Sequence, residues 1–293
     1  ASFYDLNLNV NHTINPRNNL YLTAYASSDQ FRLNSDTLYK YSNRNINVKW
    51  KHNFSNKLYG TITAGFDQYK YEVSSEKNPV NAFQLAFDIS QASVRADFNY
   101  APGNKHNFNF GFNSIYYKLH PGSYTPQSDQ SLVTRDVLPA EQAVESALYI
   151  GDQYELTSNL SVNAGLRYSF FNYLSPHDVY NYTPGLPKSL NTLRDTTAYT
   201  GTKIINTYHG PEIRLAARYS LSDNASIKAS YNTLRQYIHM LSNTTIISPT
   251  DVWKLSDPHI KPQLGSQFSL GYYHNFKSNT IETSVELYYK RMK

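Results

Sequence analysis

Residues 157–171, TSNLSVNAGLRYSFF, alternate between apolar and polar side chains after a short turn sequence. The even-numbered positions from Leu160 to Phe170 are apolar, and the odd-numbered positions from Ser161 to Ser169 are polar or glycine. A period of two places all the apolar side chains on one face of a β-strand. The first three residues of the segment are of the kinds that favour tight turns. The segment therefore predicts a turn followed by a strand with one apolar and one polar face.

The same alternation recurs along the whole chain and predicts an all-β fold of twelve strands, with no segment that has the period of a helix. The predicted strands are residues 3–13, 19–31, 40–54, 57–73, 81–100, 106–118, 142–156, 157–171, 211–221, 225–237, 264–276 and 279–291. In the fifth strand the apolar pattern changes phase near Gln91, which predicts a β-bulge at that point.

The connections between the predicted strands alternate in length. Six are short and rich in Asn, Ser, Asp, Gly and Pro, the residues that tight turns need. Five are longer, at about residues 32–39, 74–80, 119–141, 174–208 and 238–263. A meander with short turns at one end and long loops at the other is typical of an antiparallel, up-and-down transmembrane β-barrel.

The size of the predicted barrel indicates which face of each strand meets water. About eight strands enclose an interior that side chains can fill, whereas more strands leave a wide lumen. We therefore expect twelve or more strands to turn their apolar faces to lipid and their polar faces to the lumen. Closure of the barrel would also satisfy the backbone groups inside the membrane. A pair of soluble β-sandwiches is the alternative, but it gives no reason for every second connection to be short.

The composition excludes several other classes of function. The net charge of +5 is spread without a basic block, which argues against nucleic-acid binding. Cysteine is absent, so the chain has neither disulfides nor thiolate ligands. The nine histidines are scattered without metal-ligand spacing, and neither a nucleotide-binding loop nor a hydrolase motif occurs. The sequence predicts no enzyme activity, no cofactor and no metal site.

The topology predicts that residues 1–293 form a single, partial β-barrel domain. The first predicted strand enters a short turn and the last one leaves a short turn, so both ends of the chain are expected at the long-loop end. Outer-membrane barrels made of one chain normally keep both termini at the short-turn end. We therefore expect further strands of the same barrel before and after these residues.

Residues 251–276, DVWKLSDPHIKPQLGSQFSLGYYHNF, resemble a signature in the barrels of TonB-dependent outer-membrane receptors. The family pattern NP-x-LKPE…ELG is matched by Asp257-Pro258, by the IKPQ of residues 260–263 and by the FSLG that follows. The chain departs from the pattern at Gln263, where the family has an acidic residue, and at Asp257, where it has asparagine.

Two further segments carry the same resemblance. The final VELYYKRMK is similar to the strand that follows the signature in the family, and residues 104–122 resemble a strand of Bacteroidetes-type members. The resemblance implies that the chain is a middle portion of such a barrel, with about twelve of a probable 22 strands. It also implies a plug domain and a TonB box, neither of which any part of this sequence matches.

The function implied by the resemblance is import of a scarce ligand, a siderophore, cobalamin, haem or glycan, across the outer membrane of a Gram-negative bacterium. The implied partners are the TonB/ExbB/ExbD system, reached through segments outside these residues, together with outer-membrane lipid and lipopolysaccharide. A surface lipoprotein is a further possible partner. A passive porin and a structural barrel of an outer-membrane complex remain alternatives.

Two sets of residues are candidates for functional roles. Charged residues on the polar faces are expected either to solvate the lumen or to contact a plug through charged hydrogen bonds. They are Arg95, Arg167, Arg214, Arg218, Glu282 and Glu286, together with Lys49, Lys51, Asp97, Glu212 and Lys228. Aromatic residues assigned to the long loops are either ligand contacts or ordinary surface residues. They are Tyr116, Tyr117, Tyr124, Tyr180, Tyr182 and Trp253.

Overall fold

The computed structural model describes residues 1–32, 36–241, 252–276 and 280–293, and most of them lie in β-strands. The long strands are β1 (Ser2–Asn15), β2 (Asn18–Arg32), β3 (Leu38–Asn53), β4 (Leu58–Ser75), β5 (Phe83–Tyr100), β6 (His106–Pro126), β8 (Glu141–Glu155), β9 (Leu160–Leu174), β12 (Ile204–Ser222), β13 (Ala225–Gln236), β16 (Gln263–Phe276) and β17 (Ile281–Met292). The short strands are β7 (Asp136–Val137), β10 (His177–Tyr182), β11 (Leu193–Tyr199), β14 (Ile238–Met240) and β15 (Trp253–Leu255).

The twelve long strands form one antiparallel sheet in which each strand pairs with the next long strand along the chain. The short strand β7 pairs with the long-loop end of β6, at Ser123 and Tyr124. The all-β, up-and-down order predicted from the alternation is therefore confirmed. Two short 3₁₀ turns, Pro79–Asn81 and Leu190–Thr192, interrupt the connections. Within the described ranges, no helix has the length and apolar character needed to cross a membrane.

Some predicted boundaries at the long-loop end are wrong. Strand β6 continues to Pro126 instead of ending at residue 118, and β12 begins at Ile204 instead of residue 211. The start of the last predicted strand, residue 279, lies outside the described residues. The alternation of side chains fades in these extensions, but the backbone ladder with the neighbouring strands continues. Ladders depend on backbone groups, so they outlast the side-chain pattern that predicts them.

The predicted bulge near Gln91 is also misplaced. Gln91 pairs in regular register with Asp67 on one side and Tyr117 on the other. The register shifts instead between Ala86 and Asp88, where β6 carries one extra residue. The phase change in the sequence has another cause. The face that is polar at Gln91 becomes apolar towards the long-loop end of the same strand, although the register with β4 is unchanged.

Two of the long loops contain hairpins that the sequence did not predict. The predicted loop 174–208 holds the β10–β11 hairpin, and the predicted loop 238–263 holds β14 and β15. Neither pair belongs to the twelve-stranded sheet. Because these strands are only three to seven residues long, they offer little alternation from which to predict them.

Many aliphatic residues of the strands lie together on one exposed face of the sheet. Ile46, Leu148 and Leu287, each near the middle of its strand, expose 47%, 63% and 70% of their surface. Aligned residues of neighbouring strands continue this apolar face, as Leu22, Val48 and Ala64 do across β2, β3 and β4. An extended apolar face of this size on a protein marks a surface that lipid or a partner covers.

The buried core lies on the opposite, polar face, close to the long-loop end. Its fully or nearly fully buried members are Tyr71, Val73, Phe87, Tyr117, Leu119, Ala143, Phe171, Tyr173, Tyr237 and Leu255. Most belong to the long strands, whereas Tyr237 and Leu255 come from the segment that carries β14 and β15. The core therefore fixes that loop segment against the sheet.

Candidate functional site

The polar face of the sheet is the concave one, because side chains from strands that are not neighbours meet on it. Arg167 on β9 donates a hydrogen bond of 3.0 Å to Asn113 Oδ1 on β6, passing over β8. Tyr149 on β8 donates one to Asp97 on β5, passing over β6. Such contacts are favoured where the face curves inward, as the inside of a barrel wall does. The polar face therefore has the geometry of a lumen wall.

Three of the predicted lumen residues line one recess of this face. Arg95, Arg167 and Arg214, from β5, β9 and β12, surround a recess of about 390 Å³. Arg95 forms an ion pair of 2.8 Å with Asp97, which neutralises part of the positive charge. The sequence placed these arginines on one face, and the structure brings them around one space.

The Arg167 guanidinium is the centre of a partly buried ionic network. It lies 3.2 Å from a Glu145 carboxylate oxygen and 3.7 Å from one of Glu212. The Tyr117 hydroxyl donates a hydrogen bond of 3.2 Å to Glu145. With Asn113, the network joins β6, β8, β9 and β12. One cation shared by two carboxylates holds the strands together more tightly than an exposed ion pair would.

Gly111 provides the space that lets Tyr149 cross β6. A Cβ atom at Gly111 would lie 2.6 Å from the Tyr149 hydroxyl oxygen and 2.0 Å from the Ala96 carbonyl oxygen. Any side chain at this position would push the tyrosine away from Asp97. The glycine in the FGF of β6 is therefore needed for a close approach of a side chain rather than for a turn.

The remaining lumen candidates divide between a second recess and open positions. Arg218 and Glu286 line a recess of about 340 Å³ with Lys228 and Tyr273. The Lys228 ammonium lies 4.2 Å from the centre of the Tyr273 ring, and the Tyr273 hydroxyl donates a hydrogen bond to Glu286. Glu282 is exposed and aligned with Asn275, outside both recesses.

The segment around β14 and β15 is docked onto the concave face at the long-loop end. The Tyr237 ring stacks on Phe171 with centroids 4.8 Å apart, and its hydroxyl lies 2.8 Å from Ser169 Oγ. Leu255 is completely buried in the core. The Ser256 amide donates a hydrogen bond of 2.7 Å to the Tyr237 carbonyl, which closes the β14–β15 strand pair at the end nearest the sheet. This segment therefore narrows the space in front of the sheet.

A buried ionic cluster anchors the same segment. The Lys254 ammonium pairs with Glu141 and lies 2.9 Å from Asp257 Oδ2. The Leu255 amide donates a hydrogen bond of 2.9 Å to the other oxygen of Glu141, which is only 4% exposed. Burial by itself lowers the pKa of Lys254, but the two carboxylates outweigh it and leave that pKa above its ordinary value. The ammonium is therefore charged and fully paired at neutral pH.

Asp257 explains part of the motif that carries the family resemblance. Its Oδ1 accepts hydrogen bonds of 2.7 Å from the amides of both His259 and Ile260, which fixes the turn after β15. Burial by itself raises the pKa of the Asp257 carboxyl, but Lys254 and the two amides outweigh burial and lower the pKa below its ordinary value. The Tyr208 hydroxyl donates to the Asp257 carbonyl, which ties the turn to β12.

His239 is the third titratable group of the docked segment. Its Nε2 lies 2.9 Å from Ser256 Oγ. Burial lowers the pKa of His239, and the nearby Lys254 ammonium lowers it further, while Asp257 acts in the opposite sense. The docked state therefore favours the neutral imidazole.

The aromatic candidates lie in different places. Tyr116 and Tyr117 were assigned to a loop, but both lie within β6, as does Tyr124. Tyr116 is on the apolar face of the sheet with Phe112 and is therefore not a loop residue. Tyr117 is in the core. Tyr124 contacts Phe83 with ring centroids 5.3 Å apart. Trp253 is in β15 and packs against the core.

Glu141 and Lys254, the pair that anchors the docked segment, were not predicted from the sequence. The two residues are 113 positions apart, and no spacing connects them. The only local signal was a lysine three residues before the aspartate of the DPHIKP motif, which gives the Lys254–Asp257 pair. Among the described residues, no group of three or more His, Asp or Glu side chains is arranged to hold a metal ion.

Comparison with solved structures gives the same architecture. The ferric-catecholate import receptor Fiu from E. coli K12, in its closed form, superimposes with a TM-score of 0.65 at 11% identity, covering 99% of this chain and 51% of Fiu. The copper transporter OprC superimposes with a TM-score of 0.69 at 12% identity, covering 99% of this chain and 45% of OprC. The ferric preacinetobactin receptor BauA from Acinetobacter baumannii gives 0.62 at 13% identity, covering 98% and 46%.

The chain therefore spans about half the length of these solved structures, and identities this low establish the fold alone. No curated protein sequence matches the chain significantly. The family model for the TonB-dependent receptor-like β-barrel matches residues 1–293. The chain belongs to the TonB-dependent receptor β-barrel family, whose members are outer-membrane proteins of Gram-negative bacteria.

Proposed function

We propose that this chain forms part of the barrel wall of a transporter. The transporter imports a scarce ligand across the outer membrane with energy delivered through TonB. The observation that carries the proposal is the family match over residues 1–293. The concave polar face with its arginine recess supports it, because such a wall offers charged hydrogen bonds to a domain inside the lumen. In this proposal, the chain does no covalent chemistry.

The roles of individual residues follow from their positions. Arg95, Arg167 and Arg214 surround a recess on the lumen wall, where a plug domain would meet them. Trp253 and the aromatic residues beside it are at the long-loop end, which faces the outside of the cell in this family. We assign the first group to plug contact and the second to ligand capture. The resemblance to Bacteroidetes-type members, and with it a surface lipoprotein partner, remains a prediction.

The solved neighbours are named for import of ferric catecholate, ferric preacinetobactin and copper. Iron chelates are therefore the first ligands to test here, followed by haem, cobalamin and glycans. The experiment is growth of a deletion strain on each of these as the limiting source, with and without a functional TonB gene. We expect a growth defect on one source, equal in size to the defect caused by loss of TonB. Normal growth of the deletion strain on every source would contradict import.

Planar-bilayer conductance of the whole protein separates this proposal from a passive porin. A barrel whose lumen is blocked by a plug conducts little current, whereas a porin gives large, steady openings. We expect low conductance from the whole protein. A large open current that needs no TonB would favour the porin.

A further inference from the structure

A cavity of about 390 Å³ lies between the β10–β11 hairpin, the β14–β15 segment and the end of β6. Val179 and Trp253 line it from the two loop segments, and Pro121 lines it from β6. These side chains make its lining mainly apolar, whereas arginine and asparagine side chains line much of the recess around Arg95, Arg167 and Arg214. A small, mainly apolar cavity with a few polar groups is the usual form of a small-molecule site.

The charges around this cavity are mostly negative. Glu141, Asp178 and Asp257 contribute carboxylates, and Lys254 contributes an ammonium group that is already paired with two of them. The remaining titratable groups of the lining are His177, Tyr180 and His259. A bound anion would therefore meet more negative than positive charge in a partly desolvated space, where such repulsion is poorly screened. A neutral or cationic group would not meet this repulsion.

The lining also contains a polar atom that lacks a partner. His177 Nδ1 is buried, and within the described part of the chain it has no hydrogen-bond partner. The ring is held edge-on against Tyr173, with centroids 5.3 Å apart, so packing fixes its orientation. An atom buried this deeply has almost no accessible surface, so it gives no hydrogen bond to a molecule in the cavity unless the ring moves. His259 is different, since its Nε2 is 2.7 Å from the Tyr180 carbonyl oxygen.

We propose that this cavity binds a neutral or cationic ligand, or part of one, that has a planar apolar body. The inference rests on the proposed import function and names the class of ligand that the long-loop end accepts. Trp253 and Val179 contact the apolar body, and the carboxylates beside Lys254 discriminate against anions.

Three indole compounds that differ only in the group on the side chain test the proposal. Tryptamine is cationic, tryptophol is neutral and indole-3-acetate is anionic at neutral pH. Their binding to the full-length receptor in detergent is measured by equilibrium dialysis and by saturation-transfer NMR. We expect saturable binding of tryptamine and tryptophol, each at least about tenfold tighter than indole-3-acetate, because one charge is reversed or removed near the carboxylates. No saturable binding, or tightest binding of indole-3-acetate, would overturn the proposal.

Two variants connect the binding to the cavity. Trp253→Leu removes the aromatic wall, and Val179→Phe fills the space while leaving Trp253 in place. Both are expected to weaken tryptophol binding at least about tenfold, as loss of apolar contact requires. Trp50→Leu is the matched control, since Trp50 lies on the apolar face far from the cavity. Heat-dependent gel migration verifies that each barrel is folded, and a folded variant of either kind with unchanged binding would overturn the site.

Uptake assays separate this inference from the proposed function. TonB-dependent uptake that survives in Trp253→Leu with unchanged probe binding would refute the cavity and leave import standing. Cavity-dependent probe binding by a protein that shows no TonB-dependent uptake would refute import and leave the binding site standing.

Discussion

The twelve-stranded sheet and the docked segment of β14 and β15 are specified by the sequence in different ways. Each strand of the sheet pairs with the next long strand along the chain. The alternation of its side chains predicts which residues lie on each face. The docked segment is held by residues distant in sequence, such as Glu141 and Lys254. Periodicity therefore predicts backbone pairing, whereas the position of a loop depends on a few specific side-chain contacts.

The strongest test of that difference is removal of Glu141. Glu141→Ala leaves the buried Lys254 ammonium with only Asp257 and deprives the Leu255 amide of its acceptor. Breaking a buried ion pair from one side costs about 3–5 kcal/mol. We expect this loss to appear as faster hydrogen exchange at Leu255 and its neighbours, with the sheet amides unchanged.

Glu155→Ala is the matched control, because Glu155 is at the other end of the same strand, beside the short turn. It is expected to leave exchange in β15 at the wild-type rate. Equal effects of the two substitutions would show that the docked segment does not depend on this ionic cluster.

The second test concerns the two faces of the sheet. Leu215 and Ala216 are adjacent, exposed, apolar residues on β12, on the apolar and the polar face respectively. Leu215→Arg is expected to destabilise the folded barrel in lipid by about 2–4 kcal/mol, because it places a charge in the hydrocarbon region. Ala216→Arg is expected to have little effect, since that side chain lies on the polar face. Urea-dependent folding into vesicles measures both, and a larger loss from Ala216→Arg would mean that the faces are reversed.

How much of the fold could be predicted from the sequence depends on how regularly its side chains alternate. All twelve strands and their order were predictable, because lipid on one face and water on the other impose a period of two. The prediction of a bulge near Gln91 was wrong, since Phe87 and Ile89 make the polar face apolar at the long-loop end while the register with β4 stays unchanged. Tyr116 was grouped with the long loops although it falls within the predicted strand 106–118, and the structure places it in β6.

Of the predicted functional residues, the positions were more predictable than the contacts. Alternation placed Arg95, Arg167 and Arg214 on one face, but it gave no sign that they surround one recess. The curvature of the sheet brings them together, and curvature depends on the packing of all the strands. Asp257 was noticed through a motif, whereas its hydrogen bonds to the turn became visible only in three dimensions.

The third test measures a contact inside the sheet for comparison with the first. Arg167→Ala removes the cation shared by Glu145 and Glu212 and leaves two partly buried carboxylates facing each other. Loss of hydrogen bonds to a charged group costs about 1.5–3 kcal/mol. We expect a drop of that size in the free energy of unfolding. Arg218→Ala, on the same face of the sheet but exposed, is the control and is expected to change it little.

The smallest expected effect is a two-step dependence of docking on pH. Burial, with help from Lys254, holds the pKa of His239 below its ordinary value of 6.5, so docking is undisturbed above that value and weakens as the pH falls through it. Lys254 and two amides outweigh burial and hold the pKa of Asp257 below 3.8, so a second loss follows as the pH falls below 3.8. Hydrogen exchange at β15, corrected for intrinsic rates, should show both steps. His239→Gln should abolish the first step alone, and Asp257→Asn the second. Persistence of the first step in His239→Gln would assign it to another group and leave the docked segment without a titrating imidazole.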